Sequence, residues 1–209
     1  MSEATFPYGL RNAAAIQTII DSQCRSARWL PADLQHVYVS AGPGSFTGLR
    51  IGITLAKTLA FALGVKVVAV PTVRVLAANA PVEAQHLVLV LDAKRQQVYT
   101  ASFQRQGTVW AERESAHLDS LAEVLSRCPR PVHLLGEGIA YHREAIASAD
   151  PGVVVTPEEL WRARAGAVAE IGAAMAAEGR FADPYSLVPI YIRRPEAEEQ
   201  WEARGKDEG

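Results

Sequence analysis

A glycine-rich turn that joins a short apolar run to a long apolar stretch constrains the fold of this chain more than any other feature. Residues 37–39 predict a buried strand, residues 42–45 (Gly-Pro-Gly-Ser) a turn, and the stretch that ends at Gly64 a long helix. Glycine readily adopts the left-handed backbone conformations that such a turn and a helix C-terminal cap require. Because a strand followed by a helix is the repeating unit of α/β proteins, we expect an α/β fold.

Neither of two common phosphate-binding motifs fits this turn. A Walker loop ends in Gly-Lys-Ser/Thr, but the residue after Gly48 is Leu49, so no lysine stands where it could reach a phosphate. In the dinucleotide fingerprint G-x-G-x-x-G, a third glycine would stand one residue before Gly48. The turn therefore predicts no nucleotide site of either kind.

One side of the long predicted helix carries unusually small residues. Glycine or alanine recurs every four residues, which places these residues on one stripe: Gly48, Gly52, Ala56 and Ala60. A second apolar row, Ile51, Leu55 and Leu59, lies on another side of the helix. A stripe without large side chains lets another backbone approach closely. That backbone belongs either to the protein's own sheet or to a partner chain, and the pattern leaves both alternatives open.

The rest of the chain continues the alternation of strands and helices. The predicted strands cover residues 65–70, 86–91, 98–104, 132–135 and 153–155. The predicted helices cover residues 12–25, 72–79 with Thr72 as the N-cap, 119–127, 139–149 and 157–178, the last being the longest. Residues 81–84 are the predicted junction between two units, and no run approaches the length of a membrane span.

The spacing of reactive side chains argues against catalysis. The five histidines are far apart, and no HExxH or HxxxH spacing of a metalloprotease occurs, so we expect no metal site and no catalytic residue. Ser45 follows a strand, but Pro43 and Thr47 stand where the nucleophile motif G-x-S-x-G requires glycines. The two cysteines, Cys24 and Cys128, indicate no disulfide framework, which fits a cytoplasmic protein. A net charge of −2 and a pI near 6.2 give no reason to expect direct tRNA binding.

The glycine-rich stretch also carries a resemblance to a known family. Residues 42–52 (Gly-Pro-Gly-Ser-Phe-Thr-Gly-Leu-Arg-Ile-Gly), followed by Ala56-Lys57 and Leu59-Ala60, resemble the signature of the TsaB (YeaZ) family of bacterial tRNA threonylcarbamoyladenosine biosynthesis proteins. Residues 91–101, 135–138 and 189–193 resemble further family segments in the same order. The resemblance covers the chain from about Leu10 to Trp201.

The resemblance implies an actin-like or sugar-kinase-like ATPase fold of two related subdomains, at residues 1–82 and 83–209. Family members begin with strands that this sequence lacks, so the first subdomain is expected to be truncated at its N-terminus. The strand at residues 37–39 would then present an unpaired edge. A misassigned start codon is our explanation, and DNA upstream of Met1 should encode an in-frame apolar strand with Asp-Thr/Ser.

The resemblance further implies a non-catalytic subunit that pairs with the catalytic homologue TsaD through two helices. The implied interface residues are Ile16, Ile20, Gly48, Arg50, Gly52, Ala56 and Lys57. The implied family turn is Gly42, Pro43, Gly44, Ser45, Phe46 and Thr47. The ATPase TsaE is an expected further partner, a homodimer is plausible, ATP or ADP is expected only at the partner interface, and tRNA only indirectly. From the residues alone, ordinary core packing of Ile16 and Ile20, a glycoprotease-like hydrolase or ATPase, and a self-associating scaffold remain alternatives.

Overall fold

The computed structural model describes residues 2–5, 12–93, 96–149 and 151–192 of the 209-residue chain, so Arg193 and Trp201 lie outside the described residues. The helices are α1 (Asn12–Ala27), α2 (Phe46–Leu63), α3 (Thr72–Ala77), α4 (Leu121–Arg127), α5 (Arg143–Ala147) and α6 (Ala165–Ala177). The strands are β1 (His36–Gly42), β2 (Lys66–Pro71), β3 (His86–Asp92), β4 (Val98–Gln106), β5 (Val109–Asp119), β6 (Val132–Leu135) and β7 (Val153–Val155). This is the α/β architecture that the sequence predicts.

The first sheet consists of β1 and β2 in parallel, joined by α2. Gly64 ends α2 in the left-handed conformation, with φ of 71°, as predicted. Val67, Val68 and Val70 of β2 are fully buried, because this parallel strand is covered on both faces. Helix α2 packs its buried row of Leu49, Ile53, Ala56 and Ala60 over this sheet.

Among the residues that the structure describes, the outer edge of β1 is open, as predicted. Within the described parts of the chain, β1 pairs only with β2. A cavity of about 500 Å³ lies beside it, lined by Val39 of β1, by Gly48 and Gly52 of α2, and by Val168 and Ala169 of α6. The open edge of β1 therefore faces a space bordered by α2 on one side and by α6 on the other.

The second sheet has the order β5-β4-β3-β6-β7. Strands β3, β4 and β5 form an antiparallel meander, whereas β3, β6 and β7 run parallel. The parallel strand β3 is central and almost completely buried, which explains its continuous apolar sequence. At the end of β6, the backbone of Gly136 lies so close to β3 that a Cβ atom would overlap the carbonyl oxygen of Val90. Glycine at this predicted turn is thus required by close packing.

Two helix predictions are wrong. Instead of one helix over residues 139–149, the chain forms a 3₁₀ turn at Glu137–Tyr141 and the five-residue α5, separated by the non-helical His142. Instead of a helix that begins at residue 157, a 3₁₀ turn at Glu158–Leu160 precedes α6, and α2 is the longest helix.

Tertiary hydrogen bonds explain the late start of α6. The indole N–H of Trp161 donates to the carbonyl oxygen of Thr156 over 2.9 Å, and the ring is buried. The side-chain amide of Asn79 donates to the carbonyl oxygens of Leu160 at 3.1 Å and Arg162 at 2.7 Å. These partners hold residues 156–162 in a loop that helix propensity alone does not predict.

The last part of the chain returns to the first sheet. Gly172 of α6 packs on β1 so closely that a Cβ atom would lie 2.5 Å from Cγ of Tyr38. Residues 182–192, here called the C-terminal strap, then cross this unit. The Ala182 N–H donates to the Val67 carbonyl over 2.8 Å, and the Ile190 N–H donates to the Ala41 carbonyl over 2.7 Å. Helix α6 and the strap thus follow the second sheet in sequence but pack on the first.

Helix α2 also corrects the expectation that no segment reaches membrane-span length. Its 18 residues have a mean hydropathy of 1.3, which is long and apolar enough to cross a membrane by length and composition. In the structure, however, Ile53, Ala56 and Ala60 pack in one cluster with Val65 and Val67. One side of the helix therefore belongs to this unit's core, and its outer side is unusually apolar.

Candidate partner-docking surface

The glycine turn is fixed by contacts with two distant segments. Gly42 has φ of +116°, and a Cβ atom there would lie 2.5 Å from the carbonyl oxygen of Ile190 in the strap. Its N–H donates to Oγ1 of Thr72 over 3.0 Å, and that hydroxyl also bonds the Ser40 hydroxyl over 2.7 Å. The N-cap of α3 is Pro71, so the predicted capping role of Thr72 is wrong. Its side chain ties the turn to β1 instead, for which the sequence offers no signal.

The remaining residues of the predicted family turn start α2. Ser45 is the N-cap, and its hydroxyl accepts a hydrogen bond from the Gly48 N–H over 3.4 Å. Pro43 is buried, whereas Gly44, Phe46 and Thr47 are exposed. Ser45 therefore satisfies a free helix N–H, which is a structural role.

The small-residue stripe of α2 divides between core and surface. Ala56 is only 1% exposed and lies in the core with Ala60, so it has no surface to offer a partner. Gly52 is half-buried, and a Cβ atom there would lie 3.4 Å from Val39 of β1. Gly48 is exposed at the open cavity. Close packing on the protein's own sheet thus explains the C-terminal half of the stripe.

Helix α1 presents a half-exposed apolar side. None of residues 15–27 is buried, and Ile16, Ile19, Ile20 and Cys24 are half-buried. Ile16 and Ile20 belong to none of the core clusters formed by the described residues. Among the described residues, Ile16 and Ile20 are thus only partly covered.

The strap extends the apolar surface of α2, which the sequence did not predict. Leu187 is buried against α2, and exposed apolar side chains surround this anchor: Phe46, Phe61 and Leu63 of α2, and Tyr185, Val188, Ile190 and Tyr191 of the strap. The rings of Phe46 and Tyr191 have centroids 5.4 Å apart, and those of Phe61 and Tyr185 4.9 Å apart. We call α2 and the strap together the docking surface, and α1 is a further helix of the predicted interface.

The two cations of α2 have different environments. The Lys57 ammonium donates to the carbonyl oxygens of Tyr185 at 3.4 Å and Leu187 at 3.2 Å, so it holds the strap on the helix. The Arg50 guanidinium is exposed and lies 5.1 Å from the ring centroid of Phe46. Helix α2 contains no acidic residue, so its surface is apolar and positively charged.

Asp119 at the end of β5 and Cys128 after α4 are ionisable groups with shifted pKa values. Burial of the Asp119 carboxyl opposes its ionisation, but hydrogen bonds from the Arg127 guanidinium and the Ser120 N–H outweigh it and lower its pKa to about 2. Burial raises the pKa of the Cys128 thiol, which makes it a weak nucleophile. Among the described residues, no group of three or more His, Cys, Asp and Glu side chains could hold a metal ion.

Comparison with known proteins defines the class. The family model described as "TsaD: tRNA N6-adenosine threonylcarbamoyltransferase" matches residues 11–201. A crystal structure from Pseudomonas aeruginosa, described as similar to peptidase YEAZ, superimposes with a TM-score of 0.73 at 22% identity and covers 87% of this chain and 84% of that one. YeaZ from the same organism gives a TM-score of 0.71. The chain thus has the two-subdomain α/β fold of actin-like ATPases and their threonylcarbamoyltransferase relatives.

Curated relatives narrow this class further. The tRNA threonylcarbamoyladenosine biosynthesis protein TsaB of Bacillus subtilis is 33% identical over 199 residues, which cover 93% of this chain and 83% of the relative. The TsaB of Escherichia coli is 29% identical over 173 residues, 77% of this chain and 71% of the relative. The chain belongs to the TsaB (YeaZ) family.

Proposed function

We propose that this chain takes part in threonylcarbamoyladenosine biosynthesis in tRNA as a non-catalytic subunit that binds the catalytic homologue TsaD. The modified base would be the adenosine next to the anticodon in tRNAs that read codons beginning with adenine. The proposal extends the role named for the B. subtilis and E. coli relatives to this chain. TsaE would be a further partner, ATP or ADP would bind only at the shared interface, and tRNA would contact the complex through other subunits.

The observation that carries the proposal is the low burial of a very apolar helix. Only Leu49, Ile53, Ala56 and Ala60 of the 18 residues of α2 are buried. Phe61 remains 53% exposed and Tyr185 of the strap 80% exposed. Contiguous exposed apolar surface of this kind marks protein interaction sites. Covering it by a partner would release water from the apolar side chains, which is the main driving force for association.

An accessory role also agrees with the chemistry of the turn. Ser45 is used as a helix cap and Thr72 as a link between segments, so both hydroxyls already serve the fold. We propose that the chain performs no hydrolysis by itself. Purified chain that hydrolyses ATP or a peptide at a rate removed by substitution of one of its own residues would contradict this part of the proposal.

The test of the docking role is light scattering coupled to size exclusion on the chain mixed with the TsaD homologue of the same genome. We expect a one-to-one species with the wild type. Ile20→Asp places a charge on the half-buried apolar side of α1 and should weaken the complex at least tenfold, since burying an unpaired charge is costly.

A matched control separates docking from folding. Val82→Asp makes the same apolar-to-acid change at a side chain that is 85% exposed outside the docking surface, and it should bind like the wild type. Both variants should keep their far-UV circular dichroism, because residues 15–27 contribute no buried side chain and Val82 is exposed. Equal binding of Ile20→Asp and the wild type would place the interface elsewhere.

A further inference from the structure

A cavity of about 330 Å³ lies between α2 and the strap. Its volume is in the range of small-ligand sites in proteins, which begins at about 300 Å³. Among the described residues that line it, none is acidic, and the polar ones are Arg50, Thr54 and Lys57. The other lining residues are apolar or aromatic: Phe46, Ile53, Leu187, Val188, Pro189 and Tyr191. The cavity therefore matches a ligand that combines apolar surface with negative charge.

The two cations of this cavity differ in how far they are already paired. The Lys57 ammonium donates to two carbonyl oxygens of the strap, at 3.4 and 3.2 Å. It also lies near the Asp183 carboxylate, whose pKa is lowered first by a hydrogen bond from the Ser186 hydroxyl and to a smaller degree by this ammonium. Arg50 forms no ion pair with any residue that the structure describes. Within the described part of the cavity, Arg50 is therefore the cation without a carboxylate.

The sequence that follows the strap has the complementary chemistry. Residues 196–202, which lie outside the described residues, have the sequence Glu-Ala-Glu-Glu-Gln-Trp-Glu. This stretch, here called the acidic segment, contains four carboxylates, one indole and no cation. It begins five residues after Tyr191, which itself lines the cavity. Because an extended chain spans about 3.4 Å per residue, the acidic segment begins within about 17 Å of that wall.

We propose that the acidic segment binds in the cavity of its own chain, with Trp201 against the apolar wall and a glutamate beside Arg50, and that it thereby covers part of the docking surface. Burial of the indole provides most of the attraction, since an aromatic side chain removes a large apolar area from water. A carboxylate beside a guanidinium forms stronger hydrogen bonds than neutral groups do. The contact itself does not depend on the proposed function, whereas the masking of the docking surface rests on it.

A weak contact is sufficient, because both sides belong to one chain. A short linker gives the acidic segment an effective concentration of about 1 mM at the cavity. With an intrinsic Kd of about 0.1 mM, the occupied and the free form would stand at about ten to one. Because a partner binds only the free form, its apparent affinity would fall about tenfold. The acidic segment would thus weaken partner binding without preventing it.

Two other contacts of the acidic segment are the competing explanations. Arg193 and Arg194 precede the segment, so its glutamates could pair locally with them. Local pairing does not involve α2, and it predicts that a substitution at Arg50 leaves the segment unchanged. Binding in the cavity of a second copy is the other alternative, and it depends on protein concentration.

The contact is measured by fluorine NMR on the full chain labelled with fluorotryptophan. The chain has four tryptophans, and Trp201→Phe assigns the resonance of Trp201. At 50 mM salt, Arg50→Gln should move this resonance towards its position in the unfolded chain, and 500 mM salt should move it the same way in the wild type. Arg143→Gln, the same loss of charge on exposed α5, should leave the resonance in place. A resonance that ignores Arg50→Gln, or whose position depends on protein concentration, overturns the inference.

Masking is measured as affinity for the TsaD homologue of the same genome by biolayer interferometry. A chain that combines Glu198→Gln, Glu199→Gln and Trp201→Ala should bind about tenfold more tightly than the wild type. A control chain with Asp207→Asn and Glu208→Gln loses the same number of charges outside the acidic segment and should bind like the wild type. Equal affinity of all three chains would refute masking. If none of them forms a complex, the proposed function fails and masking with it, while the response of the Trp201 resonance to Arg50→Gln still decides the contact.

Discussion

Replacing Gly42 by alanine tests the contact between the glycine turn and the strap. With φ of +116°, Gly42 has a backbone conformation that costs other residues about 1–3 kcal/mol. The new Cβ would also lie 2.5 Å from the Ile190 carbonyl oxygen, so the strap must move. Movement of the strap breaks the 2.7 Å hydrogen bond from the Ile190 N–H to the Ala41 carbonyl, which contributes about 1 kcal/mol. We expect Gly42→Ala to lower the free energy of unfolding by about 2–4 kcal/mol.

The same turn supplies the control for this experiment. Gly44 does not have a positive φ, and a Cβ atom there meets no atom within 4 Å, so Gly44→Ala should change stability by less than about 0.5 kcal/mol. Urea unfolding followed by circular dichroism gives both values. Amide hydrogen exchange should also show faster exchange of the Ile190 N–H in Gly42→Ala alone. If the two variants are equally stable, the close approach of turn and strap is not energetically important.

Two further predictions concern charged side chains. The pKa of Asp119 is lowered to about 2, so its contribution to stability is present above the ordinary aspartate pKa and is lost as the pH falls towards 2. Urea titrations between pH 6 and pH 2 should therefore show a smaller loss of stability in Asp119→Asn than in the wild type, with Asp21→Asn as an exposed control that behaves like the wild type. Lys57→Met removes both hydrogen bonds to the strap and should cost about 1 kcal/mol, with faster exchange of the Leu187 N–H. Unchanged exchange there would show that apolar contact alone holds the strap.

The first unit could be predicted because its signals are local. Gly42, Ser45 and Gly64 define the turn, the N-cap and the C-cap of α2, and the valines of β2 identify a strand buried on both faces. The family signature lies in the same stretch, so one segment of sequence predicts both the fold of the first unit and the family. The open edge of β1 followed from comparing this pattern with the family's usual strands.

The errors arise where distant contacts decide the local structure. The sequence predicts a helix over residues 157–164, but hydrogen bonds from Asn79 and burial of Trp161 hold them in a loop. The sequence predicts Thr72 as a helix cap, but its hydroxyl forms hydrogen bonds with Ser40 and Gly42, which are 32 and 30 residues away. Tertiary contacts of this kind override local helix propensity, and the hydrophobic periodicity of the sequence does not reveal them.

Only part of the docking surface could be predicted from the sequence, because the rest is formed by a distant segment. The helical pattern identified α1 and α2, but Tyr185 and Tyr191 lie more than 120 residues after α2 and gave no sign that they would cover it. The family resemblance implied that Lys57 would lie at the interface with a partner chain. In the structure, the strap takes its hydrogen bonds, so its partner lies within the chain.

The structure also decides which substitution tests docking cleanly. Gly52→Leu is an obvious choice from the small-residue stripe, but a Cβ atom at Gly52 already lies 3.4 Å from Val39 of β1. A leucine there would press on the sheet or fill the cavity beside it, so loss of binding could follow from a displaced α2. Ile20 lies on a helix with no buried residue over 15–27, and Arg50 is exposed, with its guanidinium 5.1 Å from the ring centroid of Phe46. Substitutions at these two positions change the surface while leaving the packed row of α2 intact, so their effects on binding report on contacts at the surface itself.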